Sequence, residues 1–169
     1  MIAQALVFFV LPSLLLAAAV WDVASFTIPN WLQLALIAAF AVLMLVHPLG
    51  AGEFGWHLLA GFIGLAIGFT LFALGYIGGG DAKLFACVAL WFGLNDLLAY
   101  ALVASLFGGA LTLGILAIRR VPLPEPLMAQ GWLVRLHDER EGIPYGAALA
   151  AGAFFILSQS EIFRFALAR

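Results

Sequence analysis

The chain has 169 residues, of which 66% are hydrophobic and only 9% charged, with a net charge of −2. Soluble domains carry about 25% charged residues. A chain this apolar cannot cover itself with polar surface, so its solvent must be lipid. That leaves no room for a sizeable soluble domain, and with no basic patch no nucleic-acid partner is expected. A membrane span needs about 20 mostly apolar residues, so the length allows roughly five to seven spans. Cys87 is the single cysteine, which excludes an internal disulfide and any zinc site built from paired cysteines; its position inside an apolar segment reads as a small buried side chain.

The first apolar segment runs from Ile2 to Trp21. No basic region precedes it, so it is expected to be a retained helix rather than a cleaved signal peptide. Pro12 falls inside it, which a membrane helix tolerates when neighbours re-satisfy the freed carbonyl. The stretch Asp22 to Asn30 follows as a tight connection. Pro29 disfavours helix at Ile28, and Asn30 is expected to cap the second segment, Trp31 to Val46.

The third segment is expected from about His57 to Ile77, after a short loop. Within it Ala60, Gly64 and Gly68 recur every four residues, giving a small-residue face for close helix contact. Next comes Gly78-Gly79-Gly80-Asp81-Ala82-Lys83-Leu84. The fourth segment, Ala82 to Leu94, is short for a full span; Asn95-Asp96 breaks the run before the fifth, Leu97 to Ile118. Arg119 to Gly142 is the one hydrophilic stretch. There Trp132, Leu133, Val134 and Leu136 interleave with Arg135, His137, Asp138 and Glu139, which suggests a short amphipathic helix at the interface. A sixth segment starts at Pro144, well placed in a first helical turn, and runs to about Leu157, with Ser158 to Arg169 extending it. The expectation is an all-α polytopic membrane protein of about six transmembrane helices, a single membrane domain over 1–169 with a hydrophilic loop at 119–142.

Six spans put Lys83, Arg119, Arg120, Arg135 and Arg140 on one side, with Arg164 and Arg169 on the other. The positive-inside rule makes the first side cytoplasmic. Asp22 ends the first span and Asp81 follows the third, so an even number of crossings separates them and they share a side.

A carboxylate at the edge of hydrocarbon is costly and is a functional-site hypothesis by default. Two that meet cannot easily both ionise, so one keeps its proton. The ionised member can act as general base on a water, while the protonated one polarises a carbonyl and later protonates the leaving nitrogen. Gly78, Gly79 and Gly80 beside Asp81 permit close approach of an extended substrate backbone. Lys83 serves as a topology anchor that could also tune Asp81 and touch substrate. His47, His57 and His137 do not cluster, so neither a metal nor another cofactor is expected. The catalytic pair read from the sequence is therefore Asp22 and Asp81, with Gly78, Gly79, Gly80 and Lys83 as substrate contacts.

These residues resemble the type IV prepilin peptidase family of bacterial inner-membrane aspartic proteases. The matching stretches are Asp22 with Ile28-Pro29-Asn30, the run Gly78 to Leu84, and Ile143-Pro144-Tyr145-Gly146-Ala147-Ala148. The resemblance implies removal of the short cytoplasmic leader from prepilins and pseudopilins, just before their hydrophobic helix, with Asp22 and Asp81 as the catalytic pair facing the cytoplasm. Larger members carry an extra cytoplasmic domain with paired cysteines between the first two spans. Here that connection is a tight turn, which resembles the short form associated with Flp-type, tight-adherence pili. The resemblance is therefore not extended to N-methylation of the cleaved pilin, which larger members perform with S-adenosylmethionine. Two other readings compete: an intramembrane aspartyl protease of signal-peptide-peptidase type, and a non-catalytic or proton-coupled membrane transport or assembly protein.

Overall fold

The computed structural model describes residues 1–168; Arg169, one of the two basic residues expected on the far side, lies outside the described residues. All regular structure among them is helical. The helices are α1 (Ile2–Ser25), α2 (Asn30–Val46), α3 (Ala51–Ala73), α4 (Gly79–Arg119), α5 (Gly131–His137), α6 (Tyr145–Leu157) and α7 (Glu161–Leu167). Leu6–Val10 inside α1 is wound as a π-helix. It lies just before Pro12, whose ring removes one helical hydrogen bond and crowds the preceding turn, and a local π adjustment is one way a membrane helix accommodates such a fault.

α4 is a folded-back pair of helices. Gly93, at φ 71° and ψ 180°, breaks it, in a region of backbone space that is essentially restricted to glycine. The Phe85 and Tyr100 rings stack with centroids 5.3 Å apart, although 15 residues of straight helix would separate them by about 22 Å. The arms 79–92 and 94–119 therefore run antiparallel. The sequence placed this break at Asn95-Asp96; the structure moves it to Gly93.

Other boundaries shift too. α3 begins at Ala51, so the expected loop before His57 is helical. Asn30 is the first residue of α2 rather than its cap, and makes no capping bond; its side chain is turned to Lys83 instead. The tail does not simply extend α6: α6 and α7 meet at a 49° bend, and Ser160 Oγ accepts from the Phe163 N–H to start α7. Among the described residues three helices are long and apolar enough to cross a membrane, or four if α6 and α7 form one bent span. The expected count of about six would need α2, at 17 residues, and each arm of α4 to cross as well.

The core joins α1, α2 and the first arm of α4 through Leu11, Leu15, Leu32, Leu36, Leu84, Val88 and Trp91, all fully buried. Trp91 Nε1 donates to the Leu36 carbonyl at 3.0 Å, which locks α2 to that arm. α3 packs on the same arm through its small residues. A Cβ at Gly64 would lie 2.8 Å from Ala89 Cβ, and one at Gly68 2.8 Å from the Ala82 carbonyl oxygen, so the small-residue face performs the packing read from its spacing. Leu45, Phe62, Leu106 and Leu113 stand exposed on the outside, an apolar surface suited to lipid.

This topology gathers the C-terminus of α1 and the N-termini of α4 and α6 at one end. The hydrophilic stretch is pinned there. Arg135 Nη2 donates to the Ala24 carbonyl at 2.6 Å, and Arg119 donates to the carbonyls of Leu136, Glu141 and Gly142. The amphipathic run forms the seven-residue α5.

Candidate active site

Asp22 lies in the last turn of α1. The helix stops at Phe26, which adopts left-handed φ 55° and donates its N–H to the Asp22 carbonyl at 2.7 Å. The chain then passes through Ile28, which is buried, and Pro29 into α2. Ile28 wedges against the first turns of two other helices: a Cβ at Gly80 would lie 3.2 Å from Ile28 Cβ, and one at Gly146 only 2.6 Å from Ile28 Cδ1. The stretch Ile28-Pro29-Asn30 is thus a spacer that sets α1, α4 and α6 around one point.

Asp81 is the third residue of α4. Its Oδ2 accepts from the Gly78 N–H at 3.2 Å, reaching back to satisfy a donor that helix geometry leaves unpaired. Asp22 and Asp81 are 3% and 7% exposed, so both carboxyls are nearly sealed by protein.

The two acids meet at the N-terminus of α6. The Ala147 N–H donates to Asp22 Oδ2 at 3.3 Å, and Asp81 lines a cavity together with Tyr145, the first residue of α6. Free N–H groups and the positive end of the helix dipole favour negative charge there. A side chain at position 146 would crowd the site, because a Cβ would stand 2.9 Å from Asp22 Oδ2 as well as against Ile28. Carboxyls from α1 and α4 therefore lie beside the first turn of a third helix.

A cavity of about 350 Å³ opens beside them, lined by Asp22, Thr27, Asn30, Gly78, Asp81 and Lys83 among others. Lys83 Nζ donates to Asn30 Oδ1 at 2.9 Å across its mouth. Gln33 Nε2 donates to the Gly80 carbonyl at 3.4 Å and so braces the glycine turn.

All six residues singled out from the sequence line this one cavity: Asp22, Gly78, Gly79, Gly80, Asp81 and Lys83. The glycines are not simply a bare wall. Gly78 faces the Asp81 carboxyl, a Cβ at Gly79 would lie 3.4 Å from the Phe72 ring, and Gly80 takes up Ile28. The histidines stay apart. His57 Nδ1 meets the Leu90 carbonyl at 2.9 Å and His47 stacks on Phe165, while His137 ends α5. Sequence reasoning did not single out Gly146, the Ala147 N–H group or Gln33. A signal for the first two was present, since Pro144 followed by small residues marks a helix N-terminus. Gln33, one amide in an apolar helix, gave none.

A family model, the type IV leader peptidase family, matches residues 9–113, a stretch holding both aspartates. The chain belongs to the type IV leader peptidase family. Among curated proteins it is 35% identical over 130 residues to the prepilin leader peptidase/N-methyltransferase of Bacillus subtilis (strain 168), a match covering 70% of this chain and 50% of that protein. The chain thus spans about half the length of this curated relative. No solved structure matches. The family assignment, like the helical apolar architecture, agrees with the resemblance read from the three motifs.

Proposed function

We propose that this chain is an aspartic endopeptidase that removes the leader from type IV prepilins and pseudopilins, with Asp22 and Asp81 as its catalytic pair. The observation that carries this reading is that both carboxyls, nearly buried, line one cavity beside the N-terminus of α6. Two carboxyls so placed share a proton. The ionised one takes a proton from a water as its oxygen attacks the scissile carbonyl carbon; the protonated one donates to the carbonyl oxygen. The resulting gem-diol collapses, the C–N bond breaks, and the leaving nitrogen receives a proton from the pair. No metal or cofactor enters this scheme.

The finer assignments also belong to the proposal. The basic residues Arg119 and Arg135, tied to the acid end of the bundle, support an inner-membrane protein whose site faces the cytoplasm. The short connection from Ser25 to Asn30 supports the Flp-type short form. Methyl transfer, the second activity in the B. subtilis relative's name, is not part of the proposal. The family match favours this reading over an intramembrane protease of another type or a transporter. The test is processing of a candidate prepilin by the purified chain in liposomes, with the cut mapped by mass spectrometry. A product beginning at the first residues of the hydrophobic helix supports the reading. An intact substrate, or a cut inside the helix, refutes it.

A further inference from the structure

A second, larger cavity of about 480 Å³ lies between α2 and α3, with the first arm of α4 as its floor. Asn30, Gln33, Ile37, Leu65, Ala86 and Leu90 are among the residues that line it. Its rim is exposed and apolar, with Leu34 and Phe62 at 65% and 71%. Asn30 and Lys83 line this groove and the acid cavity alike, so the two adjoin at this hydrogen-bonded pair. From Asn30 to Ile37 the groove follows α2 for about 10 Å, two helical turns into the membrane.

One feature sets it apart from a lipid crevice. Gln33 is 4% exposed, and among the described residues its Oε1 has no hydrogen-bond partner. A buried acceptor left unpaired is destabilising. An acyl chain has no donor for it. The first turn of a helix has up to four N–H groups without internal partners. In a leader-peptide substrate such a turn begins where the leader ends, the point that must sit at the acids.

We propose that this groove receives the first turns of the substrate's hydrophobic helix, and that the Gln33 carbonyl accepts from one of that helix's unpaired N–H groups. The inference rests on the peptidase reading above and assigns the surface that aligns its substrate. The helix enters sideways from the bilayer between α2 and α3, and the residues before it extend past Asn30 and Lys83 into the acid cavity. Gln33 then orients both sides: its carbonyl meets the substrate, and its amide nitrogen holds the Gly80 carbonyl.

The test places a photo-crosslinking residue at Ile37 of the full chain carrying Asp81→Asn, in membranes containing a co-expressed prepilin. Adducts are expected on the prepilin's hydrophobic helix within about two turns of the leader junction, and none from the same probe at Leu106 on the outer face of α4. Adducts to lipid alone, or to the leader alone, overturn the proposal. In the otherwise unaltered chain, Gln33→Leu should raise KM for prepilin about fivefold, the worth of one hydrogen bond, with kcat within about twofold. Gln33→Glu keeps an acceptor oxygen and should restore KM. Equal KM for both variants, or a loss confined to kcat, assigns Gln33 a purely structural role and overturns its part. If the unaltered chain does not cleave prepilin, the peptidase reading fails and this inference with it. If it cleaves while the Ile37 probe meets only lipid, the groove assignment alone fails.

Discussion

At the end of the bundle away from the acids, His57 and Asp96 each close a gap in the backbone. His57 Nδ1 takes the Leu90 carbonyl next to the Gly93 break. Asp96 accepts from the Glu161 N–H at 2.7 Å to begin α7, and Asn95 donates to Glu161 Oε2 at 2.9 Å. At the acid end, about 18 Å along the first arm of α4, the balance is reversed. Two carboxyls draw on the N–H groups of Gly78 and Ala147 and line one cavity. The far end uses polar atoms to finish helices. The acid end holds more acceptors than the helices need, and the surplus faces a cavity. That excess separates a site from a cap.

The contrast predicts that substitutions at the two ends fail in different ways. Asp22→Ala and Asp81→Ala should each lower prepilin cleavage by about 10²–10⁴-fold or more, with membrane insertion unchanged, as read by immunoblot of processed and unprocessed pilin in isolated membranes. Because the scheme needs one acid protonated and one ionised, the rate should fall on both sides of an optimum pH; a rate that levels off on either side contradicts the shared proton.

Gly146→Ala should be the most damaging change that touches no titratable group. The new methyl must displace Ile28 or the Asp22 carboxyl, at about 1–3 kcal/mol of strain, so both thermal stability and kcat should drop. Gly93→Ala should have a comparable effect on stability, about 1–3 kcal/mol from the glycine-only backbone, visible as a lower unfolding temperature. Cleavage per folded molecule should stay near wild type. If Gly93→Ala impairs kcat as strongly as Gly146→Ala, the two ends are not distinct in kind. Asp96→Ala should be the mildest, about 0.5–2 kcal/mol for a lost cap, again with kcat unchanged.

The apolar segments and the small-residue face of α3 were legible because each rests on composition or spacing along one helix, and the placing of Asp22 and Asp81 at one end followed from the number of segments between them. What lay beyond sequence reasoning came from contacts between distant elements. The break at Gly93 is a matter of φ, and its sequence neighbours Asn95-Asp96 gave the stronger turn signal. Asn30 looked like a cap by type, yet Lys83, 53 positions away, holds its side chain. Gly146 reads as one more small residue until Ile28 and Asp22 are seen against it. The segment 119–142 announced its polarity but not that Arg119 and Arg135 would fasten it to the acid end.

The account stands on Asp22 and Asp81 acting as one unit, and a double-variant cycle tests that most directly. Prepilin cleavage by the purified chain in liposomes should be measured for the unaltered chain, Asp22→Asn, Asp81→Asn and the double variant. The prediction is that each single variant loses nearly all activity and that the double variant loses little more, as residues of one catalytic unit do. A single variant that cleaves at the unaltered rate, or losses that multiply in the double variant, would contradict it.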